Sequence, residues 1–373
     1  MRMAKSQIEK GRISTTQLML LLFIMVNSSA VLLAPSITGK YADENLWLSP
    51  ALGSISGLVV ILTAMGLDRY FPRKTVVEYG EKLLGSIVGK IIGLMFLFFL
   101  LHVEGLIMRQ YMEFVSGLFL DRTPMFVIMG GMALLVSFTA RGGIEVVGRV
   151  AQLIVPATLF MWTILLLFTI PNWDFSNLYP LTQKGFMGAL RGSVVPESWF
   201  SELFLVTFLL PFLKSNGRKR IGLWGILVVL FTVVNLCAVN LITVLVFGHL
   251  VPTLTYPVMT LIRFINIADF FQHIDALLLV IWVSGVFIKL AFFQYCLSLG
   301  TAQLFRLSDY RPISLPIGFL SVLFGVWIAP NITSLSQFLK TTGYFYLITF
   351  FTVYPLLLLA IAFVRRKLGN EVS

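Results

Sequence analysis

The chain has 373 residues, of which 58% are apolar and only 12% are charged, and its formal net charge is +11. Apolar runs of bilayer-spanning length recur along the whole chain, which excludes a water-soluble protein built around one core. The basic balance does not indicate nucleic acid as a partner. Nucleic-acid binding would need a soluble basic domain, and the longest non-apolar stretches here are only loops.

We predict an all-α integral membrane protein of about ten transmembrane helices, forming a single transporter-like membrane domain over residues 1–373. Ten spans divide into two sets of five, and because five is odd, the second set enters the membrane from the opposite face. The sequence therefore predicts a five-plus-five inverted repeat, with repeat one over about residues 13–170 and repeat two over about residues 184–366. The predicted spans are residues 17–38, 47–67, 91–120, 125–139, 146–170, 187–213, 221–247, 275–305, 313–329 and 338–364.

The first and sixth spans are each interrupted near the middle by polar or helix-breaking residues. The interruptions are Asn27-Ser28-Ser29-Ala30 and Val195-Pro196-Glu197-Ser198, the latter followed by Trp199. Non-helical backbone is kept at mid-membrane depth only where it lines a cavity, and such pairs of broken helices form the binding site in transporters. Helix ends that meet at mid-depth suit the carboxylate and ammonium of an amino acid. We therefore predict that these two breaks bind a ligand. The alternative is that Pro196 only kinks a helix and Asn27 packs against a neighbour.

Ionisable residues at mid-depth are costly and are usually functional. Glu104 lies near the middle of the third span and Lys289 near the middle of the eighth. Three interpretations stay open for this charge-coupling pair: a structural ion pair, a proton-linked switch, or direct contacts to a zwitterionic ligand. Arg109 and Glu113 are four residues apart on the third helix, and we predict that they pair with each other.

Basic residues concentrate in the tails and in alternate loops. By the positive-inside rule, both termini are predicted on the cytoplasmic side, where the basic residues also attract anionic lipid. The tails carry Arg2, Lys5, Lys10, Arg12, Arg365, Arg366 and Lys367.

The segment from Gly248 to Asp275 is predicted to be a lid over the outer mouth, because it is too polar to span and too apolar for a free loop. It contains Pro252, Pro257, Arg263, Asp269 and His273. The pair Gly53/Gly57 has the spacing that favours close helix approach.

The sequence contains no pattern typical of an enzyme or of a metalloprotein. Cys237 and Cys296 both lie within predicted spans, and the three histidines lack metal-ligand spacing. A nucleophile elbow and a phosphate-binding loop are also absent from the sequence. We predict a protein that is not an enzyme and that uses no cofactor or metal.

Short motifs in a fixed order along nearly the whole chain resemble the B subunits of bacterial spore germinant receptors, within the amino acid–polyamine–organocation transporter superfamily. The motifs are Ile13-Ser14-Thr15-Thr16-Gln17, Leu46-Trp47-Leu48-Ser49, Phe71-Pro72-Arg73-Lys74-Thr75, Thr123-Pro124, Arg141-Gly142-Gly143-Ile144-Glu145, Leu178-Tyr179-Pro180-Leu181, Pro211-Phe212, Tyr256-Pro257 and Ile281-Trp282-Val283-Ser284-Gly285 through Lys289.

This resemblance implies a broken-helix transporter fold and a nutrient-sensing role in the spore inner membrane. It also implies two partners, the A and C subunits of the receptor, and a small-molecule nutrient that is typically an amino acid. The first break departs from the family, in which a glycine is usual, and His273-Ile274-Asp275 stands where relatives often carry arginine before the aspartate. Three functions stay open: a sensor that triggers germination, a proton-coupled amino-acid transporter, and a structural scaffold without a ligand.

Overall fold

In the computed structural model, residues 8–179, 185–214, 217, 220–265 and 274–367 are described, and they are predominantly helical. The helices are α1 (Thr15–Ala42), α2 (Ser49–Tyr70), α3 (Val76–Leu84), α4 (Ser86–Leu118), α5 (Met125–Arg141), α6 (Ile144–Leu167), α7 (Gly185–Gly192), α8 (Val194–Ser201), α9 (Ile221–Phe247), α10 (Pro257–Arg263), α11 (Ile274–Leu304), α12 (Arg311–Trp327), α13 (Ile332–Lys340), α14 (Thr342–Ile348) and α15 (Tyr354–Lys367). A π-helical turn over Thr349–Val353 joins α14 to α15. Short 3-10 segments cover Asp43–Leu48, Ile170–Asn172, Phe175–Leu178, Glu202–Phe208, Leu210–Phe212 and Gly248–Thr253.

Six helical stretches of the described chain are long and apolar enough to cross a membrane, and the first of them contains both α1 and α2. The apolar helices α5 and α12 are shorter, with 17 residues each. An all-α architecture of membrane-spanning helices is therefore confirmed. The elements fall where the ten spans were placed, but the number ten and the inverted repeat stay predictions.

Helix α1 is continuous through Asn27–Ala30, so the prediction of a break in the first span is wrong. The polar side chains bond to the turn that precedes them instead of competing with the helix. The Asn27 amide Nδ2 donates to the Phe23 carbonyl at 2.8 Å, and the Ser28 hydroxyl lies 3.5 Å from the Met25 carbonyl oxygen. Such back-bonding satisfies a polar side chain inside an unbroken helix.

The sixth span is broken, but not at Val195–Ser198, which lie inside α8. One interruption is the turn at Ser193 between α7 and α8, and the other is at Glu202, where the α-helix changes to a 3-10 helix. Pro196 is the third residue of α8. It is tolerated there because the first turn of a helix has no internal acceptors for its N–H groups. The predicted position of this break was therefore wrong by a few residues.

The close approach predicted at Gly53 and Gly57 is confirmed, because α2 packs against α8 with backbone in contact. A Cβ atom on Gly53 would lie 2.7 Å from the Glu197 amide nitrogen and 2.8 Å from the Ser193 carbonyl oxygen. The hydroxyl of Ser56 also donates to the Glu197 carbonyl at 2.7 Å. The start of α8 is thus held in backbone contact with α2.

The predicted lid is partly described. Its helix α10 packs against α1, α9 and α11, and Arg263 Nε lies 3.2 Å from Asp275 Oδ2. The Tyr256 ring, just before α10, contacts Phe114 of α4 with centroids 5.2 Å apart. Asp269 and His273 lie outside the described residues.

The segment before α1 is bound to the end of span six. The Ile13 amide donates to the Phe212 carbonyl at 3.0 Å, and the Lys214 amide donates to the Ile13 carbonyl at 3.1 Å. The buried Glu9 carboxylate accepts from the Tyr310 hydroxyl at 2.8 Å and from the Ile144 amide at 3.3 Å. These bonds close this end of the helix bundle.

Candidate functional site

A small cavity of about 50 Å³ lies beside the middle of α1. Helices α1, α6, α9 and α11 form its walls, and the described residues that line it include no charged side chain. They are Phe23, Ile24, Asn27, Ser28, Val31, Val155, Thr158, Leu159, Trp162, Asn235, Leu278, Ile281, Trp282 and Gly285. The cavity therefore offers a mostly apolar wall with a few directed polar groups, as small-molecule sites commonly do.

A relay of three hydrogen bonds crosses this cavity wall from α6 to α1. The Trp162 indole Nε1 donates to Asn235 Oδ1 at 3.0 Å, and Asn235 Nδ2 donates to Asn27 Oδ1 at 2.7 Å. Asn27 in turn donates to the Phe23 carbonyl. Each amide nitrogen carries two N–H groups and uses one of them in this relay. The relay therefore fixes the orientation of both amides and uses only one N–H of each.

Trp282 of α11 closes the cavity on another side. Its indole Nε1 donates to the Ser28 carbonyl at 2.7 Å, and its ring lies against Phe114 with centroids 4.4 Å apart. Because Phe114 also makes an edge-to-face contact with Tyr256 beside the lid helix, a row of aromatic contacts connects the cavity to that end of the molecule.

We expect Trp282→Phe to lower the free energy of unfolding by about 1 kcal/mol, since it removes one buried hydrogen bond while the ring still packs on Phe114. The midpoint of thermal unfolding in detergent measures this change. Trp327→Phe is the matched control, because Trp327 is 88% exposed on the described surface and should leave the midpoint unchanged. Equal shifts in the two variants would contradict the assigned role of the indole N–H.

A buried ion pair lies one helical turn along α11 from the cavity wall at Gly285. Lys289 Nζ is 2.6 Å from Glu202 Oε2, and their side chains are 0% and 3% exposed. The same ammonium donates to the Ser29 hydroxyl at 2.8 Å. The pair therefore joins α11 to α1 and to the point where span six becomes a 3-10 helix.

Glu104 is not the partner of Lys289, so that interpretation of the two mid-depth charges is wrong. The Glu104 side chain is fully buried, and within the described chain neither of its carboxyl oxygens has a hydrogen-bond partner. It lies beside Ser321 of α12, whose hydroxyl donates to the Ile317 carbonyl at 3.1 Å instead. Position along a span predicts depth but not the face of the helix.

The predicted pairing of Arg109 with Glu113 is confirmed, with Arg109 Nη2 2.6 Å from Glu113 Oε1. Arg109 also donates to the Pro330 carbonyl at 3.1 Å. This pair anchors the segment before α13 to α4, which is a structural role.

Of the residues predicted to bind ligand, Asn27 and Ser28 line the cavity, and Ser29 contacts the ion pair. Ala30 is fully buried in α1 without lining the cavity. The remaining predicted contacts also lie away from the cavity lining: Glu104, Val195, Pro196, Glu197, Ser198 and Trp199. Ligand binding by any of these residues stays a prediction.

Sequence reasoning missed four residues of this region: Trp162, Glu202, Asn235 and Trp282. Two of them carried a usable signal. Asn235 is an amide in the middle of an apolar span, and Glu202 is a carboxylate within span six, as Glu197 is. The two tryptophans carried no such signal, because 14% of this chain is aromatic.

The family model described as spore germination protein matches residues 12–334. The chain belongs to this family. Spore germination protein KB of Bacillus subtilis (strain 168) is 23% identical over 371 residues, which cover 96% of this chain and 97% of that protein. Spore germination protein YndE of the same strain is 24% identical over 365 residues, covering 96% and 98% respectively.

The fold is that of a solved transporter. Mhp1, a nucleobase-cation-symport-1 family transporter, in a closed conformation with bromovinylhydantoin bound, superposes with a TM-score of 0.72 at 11% identity, covering all of this chain and 84% of Mhp1. The inward-facing conformation of Mhp1 gives a TM-score of 0.58 at 10% identity, covering 98% of this chain and 82% of that one. The chain is thus more similar to the closed form of this transporter than to the inward-facing form.

Proposed function

We propose that this chain is the membrane-embedded, nutrient-sensing subunit of a spore germinant receptor, and that it binds an amino acid in the cavity beside the middle of α1. The observation that carries the proposal is the relay of oriented amide and indole groups in that cavity, within a transporter fold and a germination family. The chain would lie in the spore inner membrane as a multi-pass protein with both termini on the cytoplasmic side, surrounded by membrane lipid.

Signalling would follow from differential affinity. A ligand shifts a conformational equilibrium only by as much as it prefers one state over the other. The cavity is formed by four helices, and among the described helices α1 alone touches the relay, Trp282 and the ion pair. A ligand that contacts Asn27 and Ser28 would therefore bias the position of α1. The A and C subunits of the receptor would respond to that change.

The second candidate function is a proton-coupled amino-acid transporter, which the similarity to a symporter favours. A transporter would use the same site but would pass through a full cycle of alternating access. A scaffold without a ligand is the third candidate and predicts no binding at all.

Binding and uptake of labelled amino acids in proteoliposomes, with the A and C subunits co-expressed, would separate these functions. We expect saturable binding without accumulation, even under an imposed proton or sodium gradient. Gradient-dependent accumulation would instead establish a transporter. Failure of an intact complex to bind any nutrient would favour the scaffold.

We expect Ala30→Leu to weaken amino-acid binding at least tenfold. The Ala30 side chain is fully buried next to Ser29, so the added carbons have no free space and must shift α1 against its neighbours. Overpacking of this kind costs about 1–3 kcal/mol. Binding to the reconstituted complex measures the effect, and Ala157→Leu on the exposed face of α6 is the control. Normal binding by the Ala30 variant would contradict a ligand site at the middle of α1.

A further inference from the structure

A second, larger cavity of about 870 Å³ lies between α3 and the end of α11, on the side of the molecule predicted to be cytoplasmic. The segment before α1, the loop into α3, the first residue of α4 and the end of span six complete its wall. Its described lining shares no residue with the cavity beside α1. A volume of this size is typical of a ligand site. The molecule therefore has a second place where a ligand could bind.

Each described carboxylate on this wall already has a partner inside the protein. Glu9 accepts from two backbone amides and from a tyrosine hydroxyl. Glu78 accepts from the Thr75 amide at 3.0 Å in the capping box of α3. Glu81 Oε1 lies 2.8 Å from Arg306 Nη2. The acidic groups of the wall are thus engaged in holding the surrounding segments together.

Two cations on the same wall differ from these carboxylates. Within the described chain, Arg73 and Lys82 form no ion pair, and both residues are exposed. Arg73 and Arg306 also have positive φ angles of 59° and 57°, a conformation that is uncommon for residues other than glycine and that recurs at binding sites. The wall therefore offers positive charge that the described protein does not neutralise, which favours an anionic ligand.

Exposed apolar side chains adjoin this charged wall. Ser86 lines the cavity, and Ile87, which follows it on the membrane-spanning helix α4, is 77% exposed. Leu307 also lines the cavity and is exposed, as is Phe305 beside Arg306. Exposed apolar surface on a membrane-spanning protein contacts acyl chains. A ligand that suits both surfaces is an amphiphile with an anionic head group.

We propose that this cavity binds the phosphate head group of an anionic phospholipid, with its acyl chains against the exposed apolar side chains beside the cavity. Arg73 binds the phosphate through its planar guanidinium, and Lys82 adds a point charge. Basic pockets between helices on the cytoplasmic side of a membrane bind such head groups. The enclosed wall distinguishes this site from the general attraction of basic loops to an anionic membrane.

The bound lipid stabilises the packing of α3 against α11. The Thr75 hydroxyl donates to Gln303 Oε1 at 2.5 Å, and the ion pair of Glu81 with Arg306 joins the same two segments. Arg73 and Lys82 lie on the α3 side of the cavity, so a head group held by them fills the space between these segments. The protein should therefore be more stable with this lipid than without it.

The test is lipid-dependent stabilisation of the purified protein in detergent. The midpoint of thermal unfolding is followed while phosphatidylglycerol, phosphatidylcholine or glycerol 3-phosphate is added. Phosphatidylglycerol should raise the midpoint, and the other two should not. Arg73→Gln with Lys82→Gln should weaken the apparent affinity for phosphatidylglycerol about thirtyfold, the typical effect of removing two basic residues from an anionic head group.

Two further variants separate the site from surface charge in general. Arg141→Gln with Lys367→Gln removes the same charges from exposed positions on the predicted cytoplasmic side that do not line the cavity, and it should leave the affinity unchanged. Glu81→Gln releases Arg306 from its ion pair and should tighten binding severalfold. Equal weakening in the two double variants, or no change in any variant, would overturn the site.

The remaining outcomes distinguish the lipid from other occupants. Stabilisation by glycerol 3-phosphate as strong as that by phosphatidylglycerol would assign the cavity to a soluble phosphate and overturn the lipid. If phosphatidylglycerol has no effect and the Arg73/Lys82 variant loses a co-expressed A subunit, the cavity is a protein docking site, and the lipid is again wrong. Each of these results is independent of which nutrient the protein binds.

Discussion

Replacing Lys289 by methionine is expected to lower the free energy of unfolding by about 3–5 kcal/mol, the typical effect of removing one partner from a buried ion pair. Methionine matches most of the lysine stem in volume, so little packing is lost. The substitution leaves the Glu202 carboxylate without its cation, and this side chain is only 3% exposed. An unpaired buried charge is therefore the main cause of the expected loss. Unfolding by SDS or by heat in detergent measures the effect.

The double variant Glu202→Gln/Lys289→Met is the control that distinguishes charge from shape. Because it removes both charges, it should recover most of the stability lost in the single variant, and buried pairs replaced in this way are often neutral in their effect. If single and double variants were equally unstable, the loss would come from packing around Phe293 and Ser29, and the ion pair would contribute little.

Helix lengths and membrane character could be predicted because they depend on local apolar composition alone. The apolar segments around α4, α9 and α11 are long enough to cross a bilayer whatever their neighbours are. The existence of a break in span six could also be predicted, since polar groups in a membrane segment need hydrogen-bond partners. Its position was not, because proline is harmless in a first helical turn and α8 begins only two residues before Pro196.

Which side chains meet in the site depends on how each helix is rotated about its own axis. The sequence alone does not give that rotation. Asn27 suggested a break, but its side chain bonds within the helix and to Asn235, which is 208 residues away. Glu104 and Lys289 share a predicted depth, yet Glu104 faces α12 while Lys289 faces Glu202. Partners of this kind are set by tertiary packing.

Three consecutive residues of α1 connect the helix to different parts of the molecule. The side chain of Asn27 binds α9, the carbonyl of Ser28 accepts from α11, and the hydroxyl of Ser29 reaches the ion pair with span six. Because α1 is one unbroken helix over Thr15–Ala42, these three contacts act on a single rigid element. Its start, in turn, is tied to the end of span six through Ile13.

Gly53→Ala is expected to lower the free energy of unfolding by about 2–3 kcal/mol and to weaken ligand binding. The added Cβ would lie 2.7 Å from the Glu197 nitrogen and 2.8 Å from the Ser193 oxygen, and backbone atoms cannot rotate aside. Helices α2 and α8 must therefore separate, against a gain of about 1 kcal/mol from the higher helix propensity of alanine.

Gly57→Ala is the matched control one turn along the same face of α2, where the nearest atoms belong to the side chains of Phe200 and Leu203, at 3.1 and 3.2 Å, and not to backbone. There the propensity gain and the smaller clash should nearly cancel. Gly130→Ala on α5, with no atom within 4 Å of the new Cβ, should be neutral or slightly stabilising. If backbone contact holds α8 against α2, thermal unfolding should show Gly53→Ala as the least stable of the three variants and Gly130→Ala as the most stable. A Gly53 variant as stable as the Gly57 variant would show that α8 can shift freely, and the position of Glu202 would then not be fixed by this contact.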